Sequence, residues 1–290
     1  MREFRDRVAV ITGAASGIGR ALARYCAARN MNVVLADVER EALAVTAAEL
    51  RAGGGSVLAV PADVSRTEDV ERIADKTLER FGAAHLLFNN AGVAVVGPRI
   101  WETTTADWEW VVGVNLSGVV HALRVFVPIM LEQQTDAHVV NTASAAGLVF
   151  PPGMGSYSSC KAAIIALSET LHHELRLERA RIKVSVACPG LVNTRMPDSA
   201  RNRPDALQND PEREARRTAR LAAARQAMLK ASATAMPPEE VAVRVFDAIR
   251  EERLYVFTHD WVKQALGQRV RDVLDLGNPP VAGRWEDFLA

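Results

Sequence analysis

Cysteine is scarce in this chain: Cys26, Cys160 and Cys188 are three among 290 residues. They are scattered and lack metal-ligand spacing, so neither a disulfide framework nor a bound metal is expected. A reducing cytoplasm is the expected compartment. An excess of one charge is missing as well. Lys+Arg and Asp+Glu both number 35, which argues against a general binder of nucleic acid or of a membrane surface. The longest apolar run, residues 118–131, is broken by His121, Arg124 and Pro128, so no segment is expected to cross a bilayer. The first residues, Met-Arg-Glu-Phe-Arg-Asp-Arg, are charged and lead directly into a strand, which leaves no room for a signal peptide. Internal repeats and low-complexity tracts are also lacking.

What is present is a large apolar content, 49%, arranged in short β-rich runs that alternate with helical patterns. Strands are expected over 8–11, 32–36, 57–60, 85–88, 138–143, 182–187 and 254–257. Such alternation predicts an α/β fold, a parallel sheet with helices on both faces, in a single domain over residues 1–290. The first strand meets Gly13-x-x-x-Gly17-x-Gly19 and then a helical pattern over 20–29. In that context, glycines let the backbone approach a pyrophosphate, and the helix N-terminus offers free N–H groups. A plain tight turn is the competing reading.

Asp37 ends the second strand, some twenty residues past the glycines, where an acid binds a ribose hydroxyl or caps the following helix. Asp63-Val64 flanks an adenine ring or is an ordinary loop. The next helix is expected from Ser65, with Glu68 completing a capping box. Asn89-Asn90-Ala91-Gly92 ends a buried strand, which suggests hydrogen bonds to neighbouring backbone or to a cofactor. Residues 107–132 read as one long helix containing Asn115, a poor residue for a helix interior, so a bend or a function is expected there.

Residues 144–161 carry the chemistry. Tyr157 and Lys161, at i and i+4, share one helix face if the segment is helical. Gly147, Pro151, Pro152, Gly153 and Gly155 exclude regular helix before Tyr157 and let Ser144 fold back toward it. A phenol titrates near ~10 unperturbed. A lysine ammonium one turn away favours the phenolate and lowers that value, as proton abstraction from an alcohol requires. Taken alone, a Tyr and a Lys four residues apart are an ordinary helical pair.

The ordered set changes that reading. Thr12-Gly13-x-x-x-Gly17-x-Gly19, Asp63, Asn89-Asn90-Ala91-Gly92, Asn115, Ser144, Tyr157-x-x-x-Lys161 and Pro189-Gly190 together resemble the short-chain dehydrogenase/reductase family. The resemblance is strong over residues 5–195 and looser over 238–258. It implies a doubly wound Rossmann sheet and hydride transfer between a nicotinamide and a secondary alcohol or ketone. Tyr157 would be the acid/base, and Ser144 would orient the substrate oxygen. Lys161 would lower the tyrosine pKa and hold the nicotinamide ribose, and Asn115 would position Lys161 through water. The cofactor would lie along Gly13, Ser16, Gly17, Ile18, Gly19, Asp37, Asp63, Val64, Asn90, Ala91 and Gly92. Tyr157, Lys161, Pro189, Gly190, Val192 and Thr194 would complete its site. Asp37 favours NAD over NADP, Arg40 being the nearest base, with Glu39 beside it to blunt its effect.

By the same resemblance, residues 191–236 would form a helical substrate lid. The lid contains Arg195, Arg201, Arg203, Arg213, Arg216, Arg217, Arg220 and Arg225, which suit an anionic substrate or, interleaved with acids, a solvated helix. Leu148, Val149, Phe150, Pro151, Pro152 and Met154, with Val95, Val96, Leu191 and Met196, would give a hydrophobic substrate pocket. A homodimer or homotetramer built on the helices holding Asn115 and Tyr157 is implied. The extension 260–290 is longer than the core needs and is a candidate to reach a neighbouring subunit. Two alternatives remain: a non-catalytic dinucleotide-binding regulatory protein, and an epimerase or dehydratase relative.

Overall fold

A computed structural model describes residues 1–278, and for residues 211–221 the backbone alone. In chain order the elements are β1 (Val8–Thr12), α1 (Gly17–Ala27), β2 (Asn32–Asp37), α2 (Arg40–Ala52), β3 (Ser56–Pro61) and α3 (Thr67–Phe81). Then follow β4 (Leu86–Asn89), α4 (Thr105–Val112), α5 (Gly118–Glu132), β5 (Ala137–Thr142), α6 (Ala146–Val149) and α7 (Gly155–Leu177). The last are β6 (Ile182–Cys188), α8 (Pro211–Ala233), α9 (Pro238–Glu251), β7 (Tyr255–Phe257) and α10 (Asp260–Leu274). The strands form one seven-stranded sheet in the order β3-β2-β1-β4-β5-β6-β7, and each neighbouring pair is parallel.

A parallel sheet covered on both faces has strands buried throughout, which is why they read as apolar runs rather than alternating ones. Every residue of β1 and β5 is buried. On one face Leu22 of α1 and Phe246 of α9 pack with Ile11 and Phe88 of the sheet. On the other, Ile73 of α3 and Phe126 of α5 pack with Val10 and Leu87. The chain order turns about β1 and β4, so the carboxyl ends of these two strands open a crevice.

Local chemistry departs from the sequence reading at several points. The helix expected over 107–132 is interrupted by a π-helical turn, Gly113–Ser117, centred on the fully buried Asn115. The stretch Thr105–Glu132 is long and apolar enough to cross a membrane by length and composition, with 33% of its most apolar window buried. Trp110, Val119, Phe126 and Met130 from this stretch are core residues. The capping box at Ser65 does not form: α3 begins at Thr67, and Ser65 turns its N–H and hydroxyl to Asp63 Oδ1. Asp69 instead accepts from the Asp63 N–H. Gly147, expected to exclude helix, lies within the single turn of α6, and a Cβ there would come within 2.6 Å of the Lys161 backbone. The glycine buys the close approach of α6 to α7.

Beyond β6 the chain makes an excursion whose two ends are tied together. Val192 pairs with Met236 in a β-bridge, and the Asn193 N–H donates to the Met236 carbonyl at 2.9 Å. Helix α10, the first part of the extension, packs on its own chain rather than standing off it: Val262 is fully buried beside α6. Residues 279–290 of the extension lie outside the described residues.

Candidate active site

The crevice is a groove whose floor is the turn from β1 into α1. Gly13 has φ +66°, and a Cβ on it would sit 2.8 Å from the Ala91 Cα. A Cβ on Gly19 would stand 2.0 Å from the Gly13 carbonyl oxygen. Without these side chains β1, α1 and the loop after β4 close together. Helix α1 has no side-chain cap hydrogen bond and no acid in its first turn. Its free N–H groups face a groove lined by Gly13, Ser16, Gly17 and Ile18, which suits a pyrophosphate.

Toward one end lies Asp37. Its Oδ2 accepts from the Ala15 N–H and its Oδ1 from the Glu39 N–H, both at 2.9 Å. A carboxylate offers about four lone-pair sites, so capacity remains to accept from ribose hydroxyls. Burial raises the Asp37 pKa, and the backbone N–H groups oppose that rise. Asp63, Val64 and Ser65 line the same end, with Gly113 and Val114 beside them. Thr12, which lies beneath the floor, is the fastener of this region. Its Oγ1 accepts from the N–H groups of Asn90 and Ala91 at 3.0 and 3.1 Å, and its carbonyl accepts from Asn90 Nδ2 at 3.0 Å. Asn89 points the other way, to Asn141 Oδ1 at 2.8 Å.

At the other end the reactive side chains converge. Helix α7 begins at Gly155, so Tyr157 and Lys161 stand one turn apart on its groove-facing side, both buried. Ser144 follows β5, and its hydroxyl accepts from the Ala146 N–H at 3.1 Å and is hydrogen-bonded with Tyr157. The Lys161 ammonium donates to the Thr142 carbonyl at 2.7 Å and lies 5.5 Å from the centroid of the Tyr157 ring. Burial pushes the Tyr157 phenol up to about 12, against the pull of the Ser144 hydrogen bond. It pushes the Lys161 ammonium down to about 8. The expected lowering of the tyrosine by Lys161 is not seen: desolvation by burial dominates both groups. Asn115 reaches neither of them directly and holds the backbone of Val93.

The segment from Thr194 to Leu207 roofs the groove. Ser199 Oγ accepts from the Ala94 N–H at 3.0 Å and donates to the Ala94 carbonyl at 3.1 Å. Arg203 donates to Asp107 at 2.7 Å. Arg195 and Arg201 both reach Glu39, and Arg225 pairs with Asp198. These four arginines are thus engaged within the chain, which disfavours an anionic substrate as their purpose. The side chains of Arg213, Arg216, Arg217 and Arg220 lie outside the described residues.

Of the expected site residues, Ser144, Tyr157, Lys161, Gly13, Ser16, Gly17, Ile18, Asp37, Asp63, Val64, Asn90, Ala91, Gly92, Pro189, Gly190, Val192 and Thr194 all line this one groove. Gly19 and Asn115 stand behind its wall, one packed on the Gly13 carbonyl and the other on Val93. The apolar set divides: Val149, Pro151, Met154, Leu191 and Met196 line the groove, whereas Leu148 packs into the core. Val96 packs beside Tyr157 and Met154, and Phe150 is exposed under the Arg269 guanidinium. Glu39, Met228 and Trp261 also line the groove and were not expected there. Their signals are tertiary, since Met228 and Trp261 arrive from α8 and α10.

Comparison with known proteins agrees with this fold. The family model described as short chain dehydrogenase matches residues 7–205. A CLA biosynthesis dehydrogenase/reductase of Lactiplantibacillus plantarum is 36% identical over 97% of this chain and 98% of its own. A 1-deoxy-11-beta-hydroxypentalenate dehydrogenase of Streptomyces exfoliatus is 36% identical over 93% of this chain and 89% of its own. Among solved structures, a short chain dehydrogenase/reductase from Burkholderia phymatum in complex with NAD superposes with TM-score 0.92 at 45% identity. The match covers 96% of this chain and 98% of that one.

Proposed function

The chain belongs to the short-chain dehydrogenase/reductase family, oxidoreductases that move a hydride between a nicotinamide cofactor and an alcohol or ketone, and we propose that Tyr157 is its acid/base, NAD its cofactor and an apolar secondary alcohol, or the matching ketone, its substrate. The observation that carries this reading is the meeting of Ser144, Tyr157 and Lys161 at one end of a groove whose other end holds Asp37. When bound, the cofactor supplies the nicotinamide carbon that gives or takes the hydride.

The chain's own residues handle the proton and the geometry. Tyr157 Oη, kept protonated at neutral pH by burial, donates to the carbonyl oxygen of a ketone and, in the reverse direction, takes the proton of the hydroxyl. Ser144 Oγ holds that same oxygen against Tyr157. Lys161 holds ribose hydroxyls with its ammonium and adds positive charge beside the phenol. Val149, Pro151, Met154, Leu191, Met196, Met228 and Trp261 give the substrate end an apolar lining, which excludes water and selects a hydrophobic substrate. At the other end, a 2′-phosphate would meet the Asp37 carboxylate. Two unit charges ~4 Å apart repel by roughly 4 kcal/mol at an effective dielectric of ~20. NAD is therefore preferred by at least ~10-fold, even after most of that repulsion is screened.

The three cysteines are free and buried, as suits a cytoplasmic enzyme. Assembly as a homodimer or homotetramer through α5 and α7 follows the family pattern and gives the apolar outer residues of α5 a partner. A panel of hydrophobic secondary alcohols, with NAD or NADP and absorbance of the reduced nicotinamide as readout, tests the reading. NAD binding without turnover of any alcohol or ketone would favour a dinucleotide-binding regulator instead.

A further inference from the structure

Glu39 stands two residues past Asp37, at the same end of the groove, and is engaged by the far side of the molecule. Its Oε2 accepts from Arg195 Nη1 at 3.4 Å. Its Oε1 accepts from Arg201 Nη2 and from Asn202 Nδ2, the latter at 3.1 Å. These partners lie 156 to 163 positions away in the chain. Arg195, Arg201, Asn202 and Glu39 all line the groove. Arg40, expected to be the nearest base, points into solvent from the first turn of α2. The cations at this end come instead from the roof.

The Arg201 guanidinium is not saturated. Its Nη1 donates to the carbonyls of Arg195 and Asp198, and its Nη2 donates to Glu39. Its Nε is buried and has no hydrogen-bond partner among the described residues. Arg195 is shared between Glu39 and Asp198, at 3.4 and 3.7 Å. Two guanidiniums beside the adenosine ribose are what a 2′-phosphate requires, since planar forks suit phosphate oxygens. Here a carboxylate already occupies them.

We propose that Glu39 is a second determinant of cofactor choice: it holds Arg195 and Arg201 and so denies their guanidiniums to the 2′-phosphate of NADP. The inference rests on the reading that Asp37 marks the adenosine-ribose end of a NAD site. Asp37 disfavours the phosphate by repulsion, and Glu39 disfavours it by occupying the groups that would bind it. The two effects are separable, because the second requires the arginines and the first does not.

The test measures dissociation constants for NAD and NADP by calorimetry, with kcat/KM for both as a second readout. Glu39→Gln keeps the side-chain shape and an acceptor for Asn202 while removing the charge. It is expected to raise the affinity for NADP relative to NAD by at least ~10-fold, about 1.4 kcal/mol. Adding Arg201→Met to Glu39→Gln is expected to remove most of that gain. Loss of both affinities in equal proportion would overturn the proposal, because Glu39 would then serve only to fasten the roof. A gain that survives Arg201→Met and Arg195→Met would overturn it too, because simple relief of repulsion would explain it. Failure of the underlying reading looks different: the unmodified protein would prefer NADP, or Asp37→Ser would leave NAD binding unchanged.

Discussion

The side chain of Asn115 closes a reciprocal pair of hydrogen bonds on the backbone of Val93. Its Oδ1 accepts from the Val93 N–H and its Nδ2 donates to the Val93 carbonyl, both at 2.8 Å. A fully buried amide thereby satisfies the two main-chain groups of Val93 in the loop after β4. The π turn around Asn115 carries this side chain to the loop after β4, on which Gly92 lines the groove.

Asn115→Leu keeps the branched heavy-atom shape and removes both bonds. Each buried group left unpaired costs about 1–3 kcal/mol, so with two such groups urea unfolding is expected to show a loss of about 2–6 kcal/mol. Turnover per folded molecule is expected to fall as well, since the loop that carries Gly92 loses its anchor. Unaltered stability would show that Val93 finds other partners.

Tyr157→Phe keeps the ring and removes the proton-carrying hydroxyl. Turnover is expected to fall by ~100- to 10,000-fold, the usual worth of an acid/base, with NAD affinity nearly unchanged. The unmodified protein adds a check through pH. With Tyr157 as the proposed acid/base, reduction uses the protonated phenol and is expected to vary little below about 8. Oxidation needs the phenolate and is expected to rise with pH, until Lys161 loses its proton near about 8. A flat oxidation profile would point to a different base.

Much of this was legible in the sequence, and the reasons are local. Apolar runs between turn residues gave the strands, and glycines that only a turn or a close approach explains marked the groove floor. The spacing of Tyr157 and Lys161 held because α7 starts early enough to include both. What was hidden depends on partners distant in the chain. Nothing near Asn115 says that Val93 will take its amide. Glu39 looked like the residue that would blunt Arg40, yet its partners are Arg195 and Arg201. Ser65 and Glu68 looked like a helix start until Asp63 claimed the Ser65 hydroxyl. Local patterns fix elements, whereas competition among polar partners is settled only when the elements meet.

Two buried histidines set the acid limit. His85 Nδ1 accepts from the Val8 N–H at 3.1 Å, and His138 Nε2 meets Ser185 Oγ at 2.8 Å. Burial lowers His85 from 6.5 to about 4 and His138 from 6.5 to about 3. The unfolded chain therefore binds more protons than the folded one below about 6.5, and stability falls as pH drops through that window. At pH ~5 each histidine accounts for about 2 kcal/mol at 1.36 kcal/mol per unit. Urea unfolding at pH ~7.5 and ~5 is expected to show the loss, and His138→Gln is expected to reduce it by about half. Equal stability at the two pH values would mean that both rings accept protons without disturbance.

The last prediction concerns what anchors the roof. Asp107 is fully buried, and the Arg203 side chain is 8% exposed. Burial alone would raise the Asp107 pKa, but hydrogen bonds from the Thr104 N–H, Asn209 and Arg203 prevail and hold it at about 2. Arg203 also lies 5.4 Å from the centroid of the Trp110 ring. Removing one partner of a buried pair strands the other charge, at a typical cost of 3–5 kcal/mol. Arg203→Leu is expected to fall at the lower end, about 3 kcal/mol, because Thr104 and Asn209 still hold the carboxylate. Asp107→Asn with Arg203→Leu leaves no charge to strand and is expected to recover at least ~1 kcal/mol of that loss, a coupling readable in a double-mutant cycle. The roof carries Met196, which lines the groove at its proposed substrate end, so Arg203→Leu is also expected to raise the substrate KM more than it lowers kcat. It should also speed proteolysis within residues 196–209. Additive energies in the cycle, with an unchanged KM, would show that Ser199 and Glu39 hold the roof without this pair.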